Sequence, residues 1–516
     1  MSKEKNVETK TEDENEDVSS VLYPTDPKTK FFTTRDIVIF LMVSIFTALI
    51  LGRINISLIT STIFPYVHKI CEKVKPPSST NHQPPTYWVP DDGQHLQVVH
   101  KLFQTYGFQK NTTPENWDVL WTHQYPFTVY KNLVKNLKWH QKVNHFPGCG
   151  YFTNKVDLST TGVDFMPKSF RIPDDVDELK IYAKENPEYK FIVKGNMHRN
   201  IEIVDVDEID LTKNTTFIQR FVDNPYLVDG HKFDMGVYTV ITSVDPLRVY
   251  IYNGDVLFRY CSHPYHPFNA SDLDQYVIAE DYLPTWEVPS LKVYYNEFGY
   301  SMRDSFDAYV KNKGGDPRKV WEQVERSLRD ILVLKEEKMK TVTKRFKSTH
   351  NFFELYRFDF GLDENLNVFL MEANMSPNLS PAHFKPNRLL YEQVVYNVFK
   401  LVGIGNLLST FFYILGENTQ MLSANKNILV NAEVCSSYEC NNSCSNKKCS
   451  LCLHCLTTKD VEDLHMAYQE HMNRGDCKRI FPEKMVRNIN LKKYSHKNQL
   501  IIRWFNEKCK ADYTWC

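Results

Sequence analysis

The sequence lacks a dominant charge. Its 62 lysines and arginines are balanced by 63 aspartates and glutamates, for a net charge of −1 over 516 residues. Without a basic field there is little to attract a polyanion, so nucleic acid is not expected as a partner. No internal repeat is visible, which argues against a solenoid or an array. Cysteine is scarce before residue 435: only Cys71, Cys149 and Cys261 occur there, and the other nine of the twelve lie between Cys435 and Cys516. The last stretch therefore has its own chemistry. Residues 1–20 are polar and largely acidic and nearly devoid of bulky apolar side chains, the composition of a disordered tail. The remainder is ordinary for a globular chain, with 42% hydrophobic, 24% charged and 13% aromatic residues, enough for a substantial core.

A full-length bilayer span is missing too. The uncharged run IVIFLMVSIFTALILG, residues 37–52, falls short of the ~20 apolar residues that cross a bilayer unaided. Arg53 can snorkel, INISLIT continues the apolar trend, and a proline-rich stretch with Pro76, Pro77, Pro84 and Pro85 follows. The run is read as a membrane anchor, with a buried core helix as the alternative. Lys28, Lys30 and Arg35 before the run, against Arg53 close after it, place the N-terminus in the cytosol and the rest in the lumen or outside. The expected organisation is a disordered polar tail over 1–35, a transmembrane anchor over 36–60 and a Pro-rich linker over 61–90. A mixed α/β body over 91–405 and a Cys-rich module over 406–516 follow.

Within the body, KFIVKG (190–195), TFIQRFV (216–222) and VYTVITSVDPLRVYIYNGDVLFRY (237–260) are rich in β-branched and aromatic residues. The last of these divides into strands at Asp245-Pro246 and Asn253-Gly254. Residues 316–336 read as a helix: Asp316 is the N-cap, Pro317 takes the first position, and Val320, Val324, Leu328, Ile331 and Leu332 recur on one face.

The chemistry is concentrated in NVFLMEANMSPNLSP (367–381), an apolar strand that ends in Glu372 and Asn374. FFELYRFDFGLD precedes it, and a turn near Glu364 and Asn365 makes the two a β-hairpin. With that turn centre, Asp359 lies opposite a residue near Leu370, and Asp359, Leu370, Glu372 and Asn374 share one face. Three oxygen-bearing side chains on one face suit Mg²⁺, a hard ion that often takes phosphates as further ligands. The bland alternative is a solvated sheet edge. Lys194, Lys232 and Arg259, with Asp234 nearby in sequence, supply the cations that a triphosphate needs.

These segments, in this order over roughly residues 91–403, resemble the tubulin–tyrosine ligase-like family. WDVLWTHQYP and QKVNHFPGCGYFTNKVDL are similar to its N-terminal signature, and FIVKGNMHRNIEIV stands where the family has a lysine and a glycine-rich loop. FIQRFVDNPYLVDGHKFDMGVYTVITSVDPLRVYIYNGDVLFRY and FELYRFDFGLDENLNVFLMEANMSPNLSP resemble its central and metal blocks. The resemblance extends to probable tubulin polyglutamylases of invertebrates.

It implies an ATP-grasp-like α/β (α+β) fold and an ATP- and Mg²⁺-dependent ligase. ATP phosphorylates a carboxylate, for instance a tubulin glutamate side chain, and the amine of free glutamate attacks the acyl phosphate to form an amide or isopeptide bond. By the same resemblance Lys194 and Arg259 are catalytic phosphate contacts, Lys232 and Asp234 belong to the nucleotide pocket, and Gln219 lies near the adenine. Asp359, Glu372 and Asn374 hold Mg²⁺. The implied partners are tubulin or microtubules. The sequence departs from the family at three places: Gly236 replaces the arginine of Lys-Phe-Asp-x-Arg, Asn200 follows Arg199 where glycine is expected, and the His-x-Thr-Asn segment is not recognisable in VIAEDYLPTWEV. Two further readings therefore stand beside the polyglutamylase: a membrane-anchored pseudoenzyme scaffold, and a lumenal ligase with a non-tubulin acceptor.

CSSYECNNSCSNKKCSLCLHC (435–455), with Cys477, Cys509 and Cys516 beyond it, has dense, irregular spacing that favours a disulfide-stapled module. Zinc and free thiols are the alternatives. Localisation is read as single-pass membrane, with the catalytic side cytosolic by family and lumenal by flanking charge and cysteines.

Overall fold

The computed structural model describes residues 84–91, 93–195, 201–204, 206–209, 216–405, 424–484 and 490–516. The chain divides between His82 and Gln83, and the described residues belong to the second unit. It opens with a small parallel sheet in the order β2-β1-β3-β4, formed by β1 (Thr86–Trp88), β2 (Gln109–Lys110), β3 (Val119–Leu120) and β4 (Lys142–Val143). Helix α1 (Gln97–Thr105) buries Val98, Val99, Leu102 and Phe103, the recurrence of a one-sided helix. A short helix, α2 (Lys155–Ser159), starts where the Asn154 side chain accepts from the Asp157 backbone N–H.

The second sheet is antiparallel, in the order β5-β8-β6-β7. Its strands are β5 (Ser169–Arg171), β6 (Phe191–Gly195), β7 (Ile201–Val204) and β8 (Thr216–Arg220). With α3 (Val176–Glu185) it has its own core of Phe170, Ile172, Leu179, Phe191 and Ile218.

The third sheet has seven strands. β9 (Phe233–Val244) is its axis: it is β-branched and aromatic, and it is buried at every position but Asp234. β10 (Leu247–Tyr252) and β11 (Leu257–Tyr260) both pair with it, and β12 (Leu283–Pro284) lies outside β11. Two helices follow, α4 (Met302–Asn312) and α5 (Pro317–Thr343). α5 starts as the sequence predicts, with the Asp316 side chain accepting from the Arg318 N–H. It runs on to Thr343 because Met339 and Thr343 remain buried and Glu336 pairs with Lys340 one turn on. β13 (Glu354–Leu362) pairs with β9 and with β14 (Val368–Met375), and helix α6 (Asn387–Leu401) comes next.

The cysteine-rich stretch is joined to this sheet. After α7 (Thr458–Asn473), β15 (Cys477–Phe481) pairs antiparallel with β10, and α8 (His496–Ala511) follows. A buried ion pair reinforces the junction: Arg248 Nε and Nη2 donate to the two carboxylate oxygens of Glu470 at 2.9 and 3.0 Å, and Thr242 Oγ1 donates to one of them at 2.8 Å. The cysteines form Cys435–Cys452, Cys440–Cys449, Cys444–Cys455 and Cys509–Cys516 disulfides, the first of the sequence alternatives. Cys149, Cys261 and Cys477 are free and buried.

One expectation is corrected. Among the described residues no helix is long and apolar enough to cross a membrane, so the single-pass membrane placement is withdrawn. Residues 36–60, on which the anchor was placed, lie outside the described residues, and the uncharged run there ends at Arg53, short of a bilayer's width.

Candidate functional site

The hairpin of β13 and β14 turns over residues 363–367, where Leu366 takes a positive φ of 62°. Asp359 pairs with Glu372 and Arg357 with Asn374, but Phe360 pairs with Leu370. The register thus shifts between Asp359 and Phe360, and Met371 is the extra residue of a β-bulge. This corrects the predicted face. Regular pairing from Leu362–Val368 to Phe360–Leu370 puts Leu370 on the core side, fully buried, and the bulge brings Glu372 opposite Asp359, so that Asp359, Glu372 and Asn374 share a side. Period-two reasoning has no means to anticipate an inserted residue.

The three oxygen-bearing side chains touch. Asn374 Nδ2 donates to Asp359 Oδ2 at 3.0 Å and to Glu372 Oε1 at 3.2 Å. Lys155, on α2, lies 3.1 Å from Glu372 Oε2. Burial works to raise the Glu372 pKa, but the Lys155 charge and the Asn374 amide bring it down to about 2. The carboxylate is therefore ionised at any physiological pH. Such hard, ionised oxygens fit a divalent cation such as Mg²⁺, and rotation of the Asn374 amide would add its carbonyl oxygen to the set.

Cations line the cavity beside these oxygens. A cavity of about 270 Å³ lies between the second and third sheets. Lys194 at the end of β6 and Gln219 on β8 face it from one side; Lys232, Asp234, Arg259, Asp359 and Glu372 face it from the other. Lys194 Nζ donates to Gln219 Oε1 at 2.8 Å, and Gln219 Nε2 donates to Ser169 Oγ at 3.0 Å. Lys232 Nζ donates to the Tyr276 carbonyl at 3.0 Å and sits 5.3 Å over the Phe221 ring. Among the described residues, neither lysine has a carboxylate within ion-pair distance. Burial, with Lys232 and Lys155 nearby, lowers the Lys194 pKa to about 8, and burial lowers that of Lys232. Two half-buried ammonium groups with neutral partners, facing a cavity, fit an anion of high charge such as a triphosphate.

Arg259 is engaged differently. Its Nε and Nη2 bind both oxygens of Asp234 at 2.9 and 2.6 Å, and Nη2 reaches Asp359 Oδ2 at 3.0 Å. Burial pushes the Asp234 carboxyl up to about 6 despite the pull of Arg259. All eight residues singled out from sequence thus gather at one place: seven line the cavity, and Asn374 adjoins it through its amide. The loop with Arg199 and Asn200 lies outside the described residues.

Two residues escaped the sequence reading. Lys155 lies in a signature-like segment, but nothing in its spacing shows that α2 brings it to Glu372. Arg357 alternates correctly with Asp359 on β13. Its Nε and Nη2 hold the two Asp359 oxygens at 2.7 and 2.9 Å.

The chain is similar to known proteins over most of its length. A model of the tubulin-tyrosine ligase family matches residues 132–409. The chain is 40% identical over 437 residues to a probable tubulin polyglutamylase of Caenorhabditis elegans, covering 82% of this chain and 84% of that one. It is 28% identical over 330 residues to a tubulin polyglutamylase of Mus musculus and 26% over 302 residues to a tubulin monoglutamylase of Homo sapiens. Those matches cover 60% and 55% of this chain, and 39% and 25% of the mouse and human proteins.

Proposed function

The chain belongs to the tubulin–tyrosine ligase family, and we propose that it is an ATP-dependent ligase adding glutamate to a glutamate side chain of tubulin. The observation that supports this best is the cavity itself. Oxygen donors on β13 and β14 face Lys194 across the cavity, with Lys232 beside them on the same wall. In the reaction, the acceptor carboxylate attacks the γ-phosphorus of ATP and ADP leaves, which gives an acyl phosphate. The amine of free glutamate then attacks the acyl carbon, phosphate leaves, the amine loses a proton, and an isopeptide bond results.

Asp359, Glu372 and Asn374 would hold Mg²⁺, which when bound neutralises phosphate charge. Lys194 and Lys232 bind and orient the phosphates. Gln219 keeps the Lys194 ammonium pointed along the cavity wall. Arg259, tied to Asp234 and Asp359, is placed to turn one guanidinium edge toward charge that builds up on the transferred group. This is catalysis by positioning and charge neutralisation, with no covalent role for the protein.

The test is direct. Purified protein, ATP, Mg²⁺, radiolabelled glutamate and tubulin are combined, and label in tubulin is counted. Label that requires ATP is expected. ATP binding without label in tubulin would contradict the proposal and favour a binding scaffold.

A further inference from the structure

Gly236 is where the sequence departs from the Lys-Phe-Asp-x-Arg pattern, yet the space beside it is filled. A Cβ on Gly236 would lie 2.8 Å from Cδ of Arg357 and 3.3 Å from its Cγ and Nε. Contacts under 3.0 Å are essentially never made by real Cβ atoms. Gly236 does not have a left-handed φ, so its missing side chain provides room and not backbone freedom.

The strand register explains the contact. On β9 and β13, Gly236 is opposite Asp359 and Tyr238 is opposite Arg357. The Arg357 side chain therefore leaves its own rung, crosses over Gly236, and ends with its fork on both oxygens of Asp359. Any side chain at 236 would stand in that path. Asp359 is thus held from two sides, by Arg259 from β11 and by Arg357 from its own strand. Around the oxygen cluster three carboxylates, Asp234, Asp359 and Glu372, face three cations, Arg259, Arg357 and Lys155.

We infer that Arg357 is a positioning residue for the ligation reaction, delivering across Gly236 the guanidinium that an arginine at position 236 would deliver from the neighbouring strand. The inference rests on the ligase reading above. Its mechanism is indirect: a planar fork fixes the plane of the Asp359 carboxylate, as a lysine's single ammonium cannot. With the fork gone, Asp359 turns toward Arg259 and both lose their setting. An arginine at 236 would be directly opposite Asp359, where cross-strand neighbours lie ~5 Å apart at Cβ, within reach of the same carboxylate. Glycine at 236 and arginine at 357 therefore form one interdependent pair.

The experiment uses the full chain and four variants: Arg357→Gly, Gly236→Arg, the double exchange Gly236→Arg with Arg357→Gly, and Arg357→Lys. Glutamate incorporation and the Mg²⁺ concentration for half-maximal ATP binding are measured, with thermal melting to establish folding. Arg357→Gly is expected to lose ~10²-fold or more in incorporation, the scale of a lost electrostatic contact, and to need more Mg²⁺. Gly236→Arg is expected to lose activity as well, because two guanidinium groups then compete for one path. The double exchange is expected to recover activity well above either single variant, with Mg²⁺ dependence near the parent's. A side chain serving only packing would not restore Mg²⁺ dependence from a different strand.

The inference is overturned if Arg357→Gly keeps the parent's rate and Mg²⁺ dependence, or if the folded double exchange is no better than the single variants. Should Arg357→Gly fail to fold, Arg357→Lys decides: reduced incorporation and a raised Mg²⁺ requirement support the inference, and parental values overturn it. A parent that leaves tubulin unlabelled refutes the ligase reading, and the Mg²⁺ dependence of ATP binding across the same proteins still decides the role of Arg357.

Discussion

Two buried carboxylates on β13 sit five residues apart and have opposite surroundings. Glu354 is closed. His145 Nδ1 meets its Oε1 at 2.7 Å, the Phe146 N–H donates to its Oε2 at 2.8 Å, and His145 Nε2 lies 2.9 Å from the Thr122 carbonyl. The cluster ties the segment of the Asn144-to-Cys149 turn to the sheet, and every polar atom in it finds a partner nearby. Asp359 belongs to an open cluster. Its own oxygens are occupied, but around the same cavity Lys194 and Lys232 are met only by an amide and a carbonyl. A cluster that serves folding satisfies itself; a cluster that serves a ligand leaves charge for the ligand to satisfy.

The comparison breaks most visibly at Glu354. Glu354→Ala strips His145 and the Phe146 N–H of their partner in a fully buried site, and stability is expected to fall by roughly 3–5 kcal/mol. Denaturant unfolding measures this loss, and residual folded protein should bind ATP as the parent does. Lys194→Met should do the reverse. It removes a half-buried charge with no carboxylate partner, so the melting temperature should hold or rise, while ATP affinity drops by ~10-fold or more. Isothermal titration separates the two. A subtler effect is pH dependence. The Lys194 pKa is lowered to about 8, so without ligand the ammonium gives up its proton as pH rises through that value. Since phosphate binds the protonated form, ATP affinity should weaken between about pH 7 and 9, and Lys194→Arg should flatten the profile. The smallest change is expected at an exposed pair: breaking Lys101–Glu392 with Lys101→Ala should alter stability by no more than ~1 kcal/mol and leave nucleotide binding unchanged.

Much of this site was legible in the sequence because it is local. The β13–β14 hairpin alternates, turns and ends within 22 residues of chain, so its two strands, and Asp359, Glu372 and Asn374 on them, follow from alternation and turn residues, while the face the three share also needs the bulge. What was not legible depends on distant partners. The bulge at Met371 is invisible to a period of two, yet it decides that Glu372, and not Met371, stands opposite Asp359. Lys155 reaches Glu372 only because α2 docks beside the hairpin. β15 is a five-residue segment, CKRIF, with no alternation to announce it; it becomes a strand by pairing with β10, 225 positions earlier at the Tyr252–Cys477 pair, and Arg248 with Glu470 secures the same junction. Gly236 was readable as a loss, and only the register of β9 against β13 shows what occupies the space.

The account stands or falls on Glu372 as an ionised donor for a divalent ion that carries the nucleotide. ATP binding is measured with and without Mg²⁺ for the parent chain and for Glu372→Ala. Binding that requires Mg²⁺ in the parent and is lost in the variant, with melting unchanged, is the predicted result. A variant that binds ATP as tightly as the parent, with the same Mg²⁺ dependence, would contradict it.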